Sequence, residues 1–600
     1  MNKLEIMRRA AFVIRGARHH WYSRTVEKSN LWTTLSTGEG MEKLQKQYAH
    51  RKSAEAFAQR VKITQHITPS VVSRCVSAYY KVPRANYVRL LQYDNNDDKR
   101  RQELEGLLSR FNGSHGLEDY LATRLIEMNE TDPNAFVVVE FGAFDPARQL
   151  AQPYPFEVSS EGAVDYLYQN NILEYLIAKS KVSADSVDPE AAMYDRYTVY
   201  MKDQTVIIQQ MPDKVLPPVG LMELEYSNPG PDGVYYLKVN NVFYSVTEAL
   251  PHKAGQVPAI RAGYSRDGYT AAKTPQQPMM KSIFADAVGH LLKSVKVNSE
   301  HDLTMALSAY PMTLRYAEPC QARGCIHGYT DSGEPCGSCH GSGEKQRPTS
   351  AQEELTLEMP RNPADMVNLN DILVYKAPPV ELLAWIDGYI DKLAAQCVQI
   401  IFNTDIFSRQ EIASTATGKN IDLQNVYDTL YPFAQQFARV WADIVTISAK
   451  FADRDKGLTA KIRFSKDFKL KGMNDLIGDL EAARRANAGP GITSQIESEI
   501  MGLMLAEDPQ ALTMQRVKDR FNPFAGMPVE MVMTFVNSDL VPYEKKILYA
   551  NMGDIFDRLV LENPMFYDFA ASKQKELIDT EVSKIIESIT NRQAPEFSGN

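Results

Sequence analysis

Cysteine is scarce in this chain, with six in 600 residues. That is too few for a disulfide framework, and it excludes the small secreted scaffolds that rely on one. Net positive charge is missing as well. The formal charge is −9, opposite to the basic balance of a protein that grips nucleic acid by its phosphates. It remains compatible with a surface past which DNA slides. No apolar run reaches the eighteen or so residues of a membrane-spanning helix, so no membrane partner is expected. Catalytic signatures are absent too. There is no Gly-x-Ser-x-Gly elbow, no His-Glu-x-x-His and no dinucleotide fingerprint. The segment Ala416-Thr417-Gly418-Lys419-Asn420 superficially resembles a phosphate loop. However, Ala413 stands where that motif needs glycine, and no Ser or Thr follows Lys419. The expectation is a protein that is not an enzyme.

What is present describes an ordinary globular composition, 44% hydrophobic and 24% charged, long enough for two to four domains. The first residues are basic, with Arg8, Arg9, Arg15, Arg18 and Arg24 beside His19 and His20. They lack the apolar core and small-residue cleavage site of a secretory leader. Residues 1–40 therefore read as a surface arm or helix with a solvated basic face.

Four of the six cysteines fall within twenty positions: Cys320, Cys325, Cys336 and Cys339. Two close pairs separated by ten residues suit a tetrahedral thiolate site, and four thiolates select zinc. Gly324, Gly328, Gly337, Gly341 and Gly343 supply the positive backbone angles that let amides point at sulfur. With every coordination position filled by cysteine, the metal is structural and holds no reacting water. His327 and His340 are bystanders or outer partners in this reading. The remaining cysteines, Cys75 and Cys397, lie in apolar helical patterns and read as core fillers. The compartment reads as reducing. The segment Cys336-Gly337-Ser338-Cys339-His340-Gly341-Ser342-Gly343 resembles the cysteine-rich repeats of J-domain co-chaperones, but the first pair departs from that repeat and nothing else resembles a J-domain.

Periodicity orders the rest as a mixed, α+β chain. Helices are expected over 41–62, from Pro69, and over 99–111 and 116–129, followed by a buried strand at Phe136–Phe141. Residues 150–270 are β-rich, with a hairpin turn at 228–233. A helix runs from about 278 to 308. Short strands at 312–316 and 371–375 could pair, with the cysteine module suspended between them. A second apolar-striped helix follows, through Leu383, Ile386, Ile390, Leu393, Cys397, Ile400 and Ile401. A small, polar loop occupies 403–421. Then Leu423, Val426, Leu430, Phe433, Phe437, Val440, Ile444 and Ile447 recur every three or four residues. They mark a long core-facing helix, capped by Asn420 or Asp422 and kinked at Pro432. A strand at 460–464 and helices from about 473, broken at 489–491 and 522–523, complete the chain; the tail 593–600 is expected to fray.

This order of elements resembles the portal proteins of tailed bacteriophages. So does local wording: Gln47-Tyr48 through Glu55, Phe57 and Arg60, and Ile412 to Lys419 ahead of the long helix. The resemblance implies a helical then β-rich wing at 41–277, with stem helices at 278–308 and 379–402. It places a clip at 309–378 carrying the zinc module at 320–343, and a tunnel loop at 403–421. A long kinked helix and strand follow at 422–472, then a helical crown at 473–600. It further implies a homo-oligomer of twelve subunits at a capsid vertex, assembled in the host cytoplasm and residing in the virion. Double-stranded DNA would pass through the ring, with Arg409 and Lys419 lining the channel. Partners would be the terminase packaging motor, a head–tail adaptor and the major capsid protein. The zinc module departs from the commonest portals. The alternative reading is a zinc-knuckle adaptor or scaffold protein of a different assembly.

Overall fold

The structure is a computed structural model. It describes residues 3–46, 54–145, 150–212, 236–344, 373–404, 416–464 and 473–593, brief interruptions apart. It is a mixture of helix and sheet, 55% and 19% of the residues, in agreement with the α+β expectation.

Thirteen strands are described. Eight make up the β-rich region read from the sequence: β3 (Leu150–Val158), β4 (Ala163–Gln169), β5 (Ile172–Ser183), β6 (Met193–Tyr200), β7 (Gln204–Gln210), β8 (Tyr236–Val239), β9 (Val242–Pro251) and β10 (Ala259–Arg261). β4 to β9 form a six-stranded antiparallel sheet in the order β4-β5-β6-β7-β9-β8. The expected turn at 228–233 lies outside the described residues. β2 (Phe136–Asp145) pairs with β3 on one side and β10 (Ala259–Arg261) on the other.

Strand alternation sends successive side chains to opposite faces, and in β5 both faces are covered. Leu176 and Ala178 meet Phe136, Val138 and Val158 of the three-stranded sheet. Tyr175 and Ile177 meet the first helix, α1 (Lys3–Ile14), through Met7, Ala10 and Val13. The basic N-terminal region is thus no solvated arm. α1 is amphipathic, and its apolar stripe closes the sheet's second face. Arg9 turns inward, donating from Nε to Asp165 Oδ2 at 2.7 Å and from Nη2 to Oδ1 at 3.1 Å. Asp165 is 2% exposed and also accepts from Tyr175. The bidentate pair compensates a carboxylate that could not otherwise be buried.

The second core surrounds the longest helix. After α2 (Tyr22–Thr37), the described parts of the expected helix at 41–62 are α3 (Met41–Lys46) and α4 (Ala54–Ile63), with 47–53 outside the described residues, and α5 spans Thr68–Ser77. β1 (Tyr87–Tyr93), which the sequence reading missed, precedes α6 (Asp98–Leu108). α7 (Leu117–Tyr120) continues through a π-turn into α8 (Ile126–Thr131). A short α9 (Gly268–Lys273) leads to α10 (Val288–Ala309). Residues 278–287 are not α-helical, although Met279 and Phe284 are buried there. Two strands, β11 (Met312–Arg315) and β12 (Leu373–Lys376), pair antiparallel as expected, Arg315 opposite Leu373. α11 (Val380–Phe402) returns alongside α10 through Val297, Ile386, Ile390 and Leu393. Ile400 departs from its expected stripe and is exposed. α12 (Ala416–Phe451) then runs through the main core, and Leu430, Phe433, Val440, Trp441, Ile444 and Ile447 are completely buried. Trp441 donates its indole N–H to Glu118 at 3.0 Å. Gln436 donates to the carbonyls of Arg261 and Ala262, tying the helix to β10. Pro432 stands inside α12. Finally β13 (Leu458–Phe464) crosses back to pair with β1, Tyr93 opposite Leu458.

Cys75 and Cys397 are both buried in this core, as expected for fillers. From α13 (Met473–Arg485) onward the chain is helical, through α14 (Pro490–Met504), α15 (Pro509–Phe521), α16 (Val529–Asn537), α17 (Tyr543–Ala550), α18 (Met552–Glu562) and α19 (Ala571–Gln593). α15 and α17 to α19 bury a cluster of their own around Phe556, Leu559 and Phe566. The tail 594–600 lies outside the described residues.

Candidate metal centre

Residues 319–344 form a loop with little regular structure, closed at its base by a bridge between Pro319 and Glu344. Its order comes from turns. The amide of Cys320 donates to Gly343 at 2.9 Å, and that of Cys336 to Gly328 at 2.8 Å. Ile326 and Tyr329 exchange backbone hydrogen bonds across a tight turn. Two knuckles result, and they pack back to back. A Cβ at Gly328 would lie 2.4 Å from the Gly341 carbonyl oxygen, and one at Gly343 would lie 3.1 Å from the His327 carbonyl carbon. Gly328 has φ +101 and Gly343 φ +74, so both positions need glycine for space and for conformation.

Four sulfurs converge there. Cys320, Cys325, Cys336 and Cys339 place their Sγ atoms within 4.8 Å of one another. Cys325 and Cys339 are 3.7 Å apart. A tetrahedral site with metal–sulfur bonds of about 2.3 Å has sulfur–sulfur edges of about 3.8 Å, and a disulfide would need about 2.05 Å. All four cysteines are free, Cys336 and Cys339 buried, Cys320 and Cys325 half-buried. Backbone amides are already aimed at the cluster. The N–H groups of Ser338 and Cys339 lower the Cys336 thiol to about 7. Cys325 is pushed up to about 12, chiefly by loss of water contact and against the amide of Gly328. Four thiolates cannot coexist here without a cation between them, and the donor set and spacing fit one.

Every sulfur chosen from the sequence is therefore in the cluster. The glycine assignment needs one change. Gly337 is not at positive φ; Gly333 is, together with Gly324, Gly328, Gly341 and Gly343. The histidines were missed as backbone residues. His327 and His340 have φ 49 and 48, a left-handed conformation that histidine adopts more readily than most residues. Both side chains are exposed, and each histidine immediately precedes a glycine after a cysteine. That doubled Cys-(Ile)-His-Gly wording was the available signal. Beyond the knuckles, Ile326 and Tyr329 are 61% and 51% exposed.

Of the pair assigned to a DNA channel, Lys419 alone lies among the described residues. Arg409 falls in 405–415, outside the described residues. Lys419 is no loop residue; it belongs to the first turns of α12, which begins at Ala416. The expected cap at Asn420 or Asp422 is overturned for the same reason. Thr417 and Gly418 are weak helix formers, so the polar run reads as a loop. The helix is anchored further along, from Val426 onward, and extends back through them.

No helix among the described residues is long and apolar enough to cross a membrane. No protein-family model matches this chain, and no curated protein is detectably similar to it.

Proposed function

We propose that this chain is a portal protein of a tailed bacteriophage, a ring subunit through which DNA enters and leaves a capsid. The observation that supports this reading is the sequence of four elements α10, β11, β12 and α11, followed by α12. Two antiparallel helices carry a two-stranded ribbon at their common end, and a 36-residue helix comes next. In this reading α10 and α11 are the stem, the ribbon belongs to the clip, and the sheets with α12 form the wing. The helices from α13 onward are the crown. About twelve chains would carry a net charge on the order of −100, which disfavours adhesion of a polyanion to the channel wall. Arg409 and Lys419 supply sparse positive charge beside the passing DNA. The packaging motor, the head–tail adaptor and the capsid shell are the partners.

The cysteine quartet holds one zinc ion per chain in the same reading, as a structural element of the clip. A zinc-bearing adaptor of another assembly is the second reading, favoured by the exposed Ile326 and Tyr329 on the metal module. Native mass and electron micrographs of the purified chain separate the two. Rings of about twelve subunits are expected, and a monomer that retains its zinc would overturn the portal reading in favour of the adaptor.

A further inference from the structure

A cavity of about 440 Å³ opens at the seam between the three-stranded and six-stranded sheets, closed on one side by Phe451 at the end of α12. Its wall is mostly apolar. Phe141 packs on Phe451 with ring centroids 4.4 Å apart, and Leu250 stands at 48% exposure. Thr198, Thr205 and the exposed Glu248 also line it, and its remaining polar groups fall into two kinds. Glu140 is fully engaged, accepting from Tyr200 at 2.6 Å on Oε1 and from Tyr154 at 2.8 Å on Oε2. Its carboxylate is committed to joining β2, β3 and β6.

The second kind is unengaged. Arg196 Nε and His252 Nε2 are both buried, neither has a hydrogen-bond partner among the described residues, and both residues line the cavity. The tautomer of His252 follows from its other nitrogen. The amide of Ala254 donates to Nδ1 at 3.3 Å, so Nδ1 is the acceptor and Nε2 carries the proton. Burial lowers the pKa of His252 below its usual value and keeps the ring neutral. The carbonyls of Met201 and His252 oppose that shift, but neither makes a hydrogen bond with Nε2, so among the described residues two N–H donors in the wall of one half-enclosed space lack an acceptor. A buried donor left unpaired costs about 1–3 kcal/mol. A mostly apolar pocket of 300–1,000 Å³ with a few convergent polar groups is the usual form of a small-molecule site.

We propose that this cavity is a binding site for a flat, largely apolar small molecule bearing a carboxylate or carboxamide oxygen. The ring system lies against Phe141, Tyr154 and Phe451, and the oxygen accepts from Arg196 and His252. The site is remote in sequence from the cysteine module and does not depend on the portal reading. A carboxylate adds an ionic contact with Arg196 that a carboxamide lacks, so the two head groups are separable.

Two probes test it on the full-length protein, 2-naphthoate and 2-naphthamide, each titrated by ligand-observed saturation-transfer NMR. Saturable binding of at least one is expected; preference for the acid identifies a carboxylate site, and equal or reversed preference a carboxamide site. Arg196→Met should weaken the preferred probe about tenfold or more, the effect of losing a charge-assisted hydrogen bond. Leu250→Trp should abolish binding by filling the cavity, and because Leu250 is half exposed the melting curve should not move. Failure of both probes to saturate, or binding by the folded Leu250→Trp variant equal to that of the parent, overturns the site. Should Arg196→Met not fold, Leu250→Trp alone decides.

Discussion

The cysteine module and the core around α12 are held together by opposite means. Around α12, large side chains such as Trp441, Phe433 and Phe437 are stripped of water, and folding is driven by apolar burial at about 25 cal/mol per Å². In the module only Cys336 and Cys339 count among the buried apolar residues. Its chain is fixed by tight turns, by two glycines that no side chain can replace, and by four sulfurs around one point. Apolar burial tolerates many sequences of similar volume. A metal knuckle tolerates almost none at its ligands, and in return needs only about twenty-five residues.

That contrast can be broken from either side. The largest effect belongs to the metal. Structural zinc contributes about 10–16 kcal/mol of apparent binding energy in small zinc domains. Purified protein is expected to contain one zinc per chain by elemental analysis, and Cys336→Ser or a strong chelator should remove it. Amide exchange within 320–344 should then become fast while exchange in α12 is unchanged. Slow exchange in the metal-free module would show that turns alone suffice.

Phe437→Ala acts in the reverse direction. It deletes a 1% exposed ring from the main core, for an expected loss of about 3–5 kcal/mol in denaturant unfolding. The zinc content of the folded fraction should stay at one per chain. A fall in zinc in parallel with stability would mean that the two regions are energetically coupled.

The smallest effect sharpens the comparison within the packed part of the molecule, at His19. This ring is buried against Tyr166, and burial lowers its pKa from 6.5 to about 4. The charges of His20 and Arg261 act in the same direction, and Gln277 and Asp165 oppose it. The amide of Trp21 donates to Nδ1, and Nε2 meets the Gln277 carbonyl oxygen, an arrangement that suits the neutral ring alone. Below pH 6.5 the unfolded chain binds a proton that the folded chain refuses. His19 stabilisation is therefore complete above 6.5 and is lost progressively as pH falls towards 4, by up to about 3 kcal/mol. His19→Gln should flatten the stability–pH curve in that window, measured by urea unfolding. An unchanged slope would place the acid sensitivity elsewhere.

Legibility in the sequence followed the same division. The metal centre could be read residue by residue because its ligands are rare, close together and chemically specific. Hidden were the exchange of Gly333 for Gly337 among the positive-φ glycines and the conformational task of His327 and His340, since a histidine beside cysteines suggests a ligand before it suggests a left-handed turn. The stripe of α12 was legible for a different reason: one face of a long helix repeats its apolar residues with the helical period. Its start was not, because Thr417 and Gly418 are weak helix formers and the run up to Lys419 is small and polar, so no apolar repeat marks it. β1 escaped because Tyr87-Val88-Arg89-Leu90 alternates weakly and its only sheet partner among the described residues is β13, more than half the chain away. α1 was misjudged from its arginines. One of them, Arg9, neutralises a buried aspartate that lies 156 residues downstream.

The β1–β13 pairing also sets a timetable. Tyr93 donates its hydroxyl to the carbonyl of Arg454, 361 residues later, so this contact cannot form until most of the chain has left the ribosome. At 5–20 residues per second that is a wait of roughly 20–70 s. During that interval Tyr87–Tyr93 is an unpaired edge, a template for joining another nascent chain. The cysteine knuckles, whose contacts all lie within 25 residues, can fold around their ion long before β1 finds its partner. Late closure of that edge makes synthesis, more than the finished structure, the stage at which this protein is most exposed to aggregation.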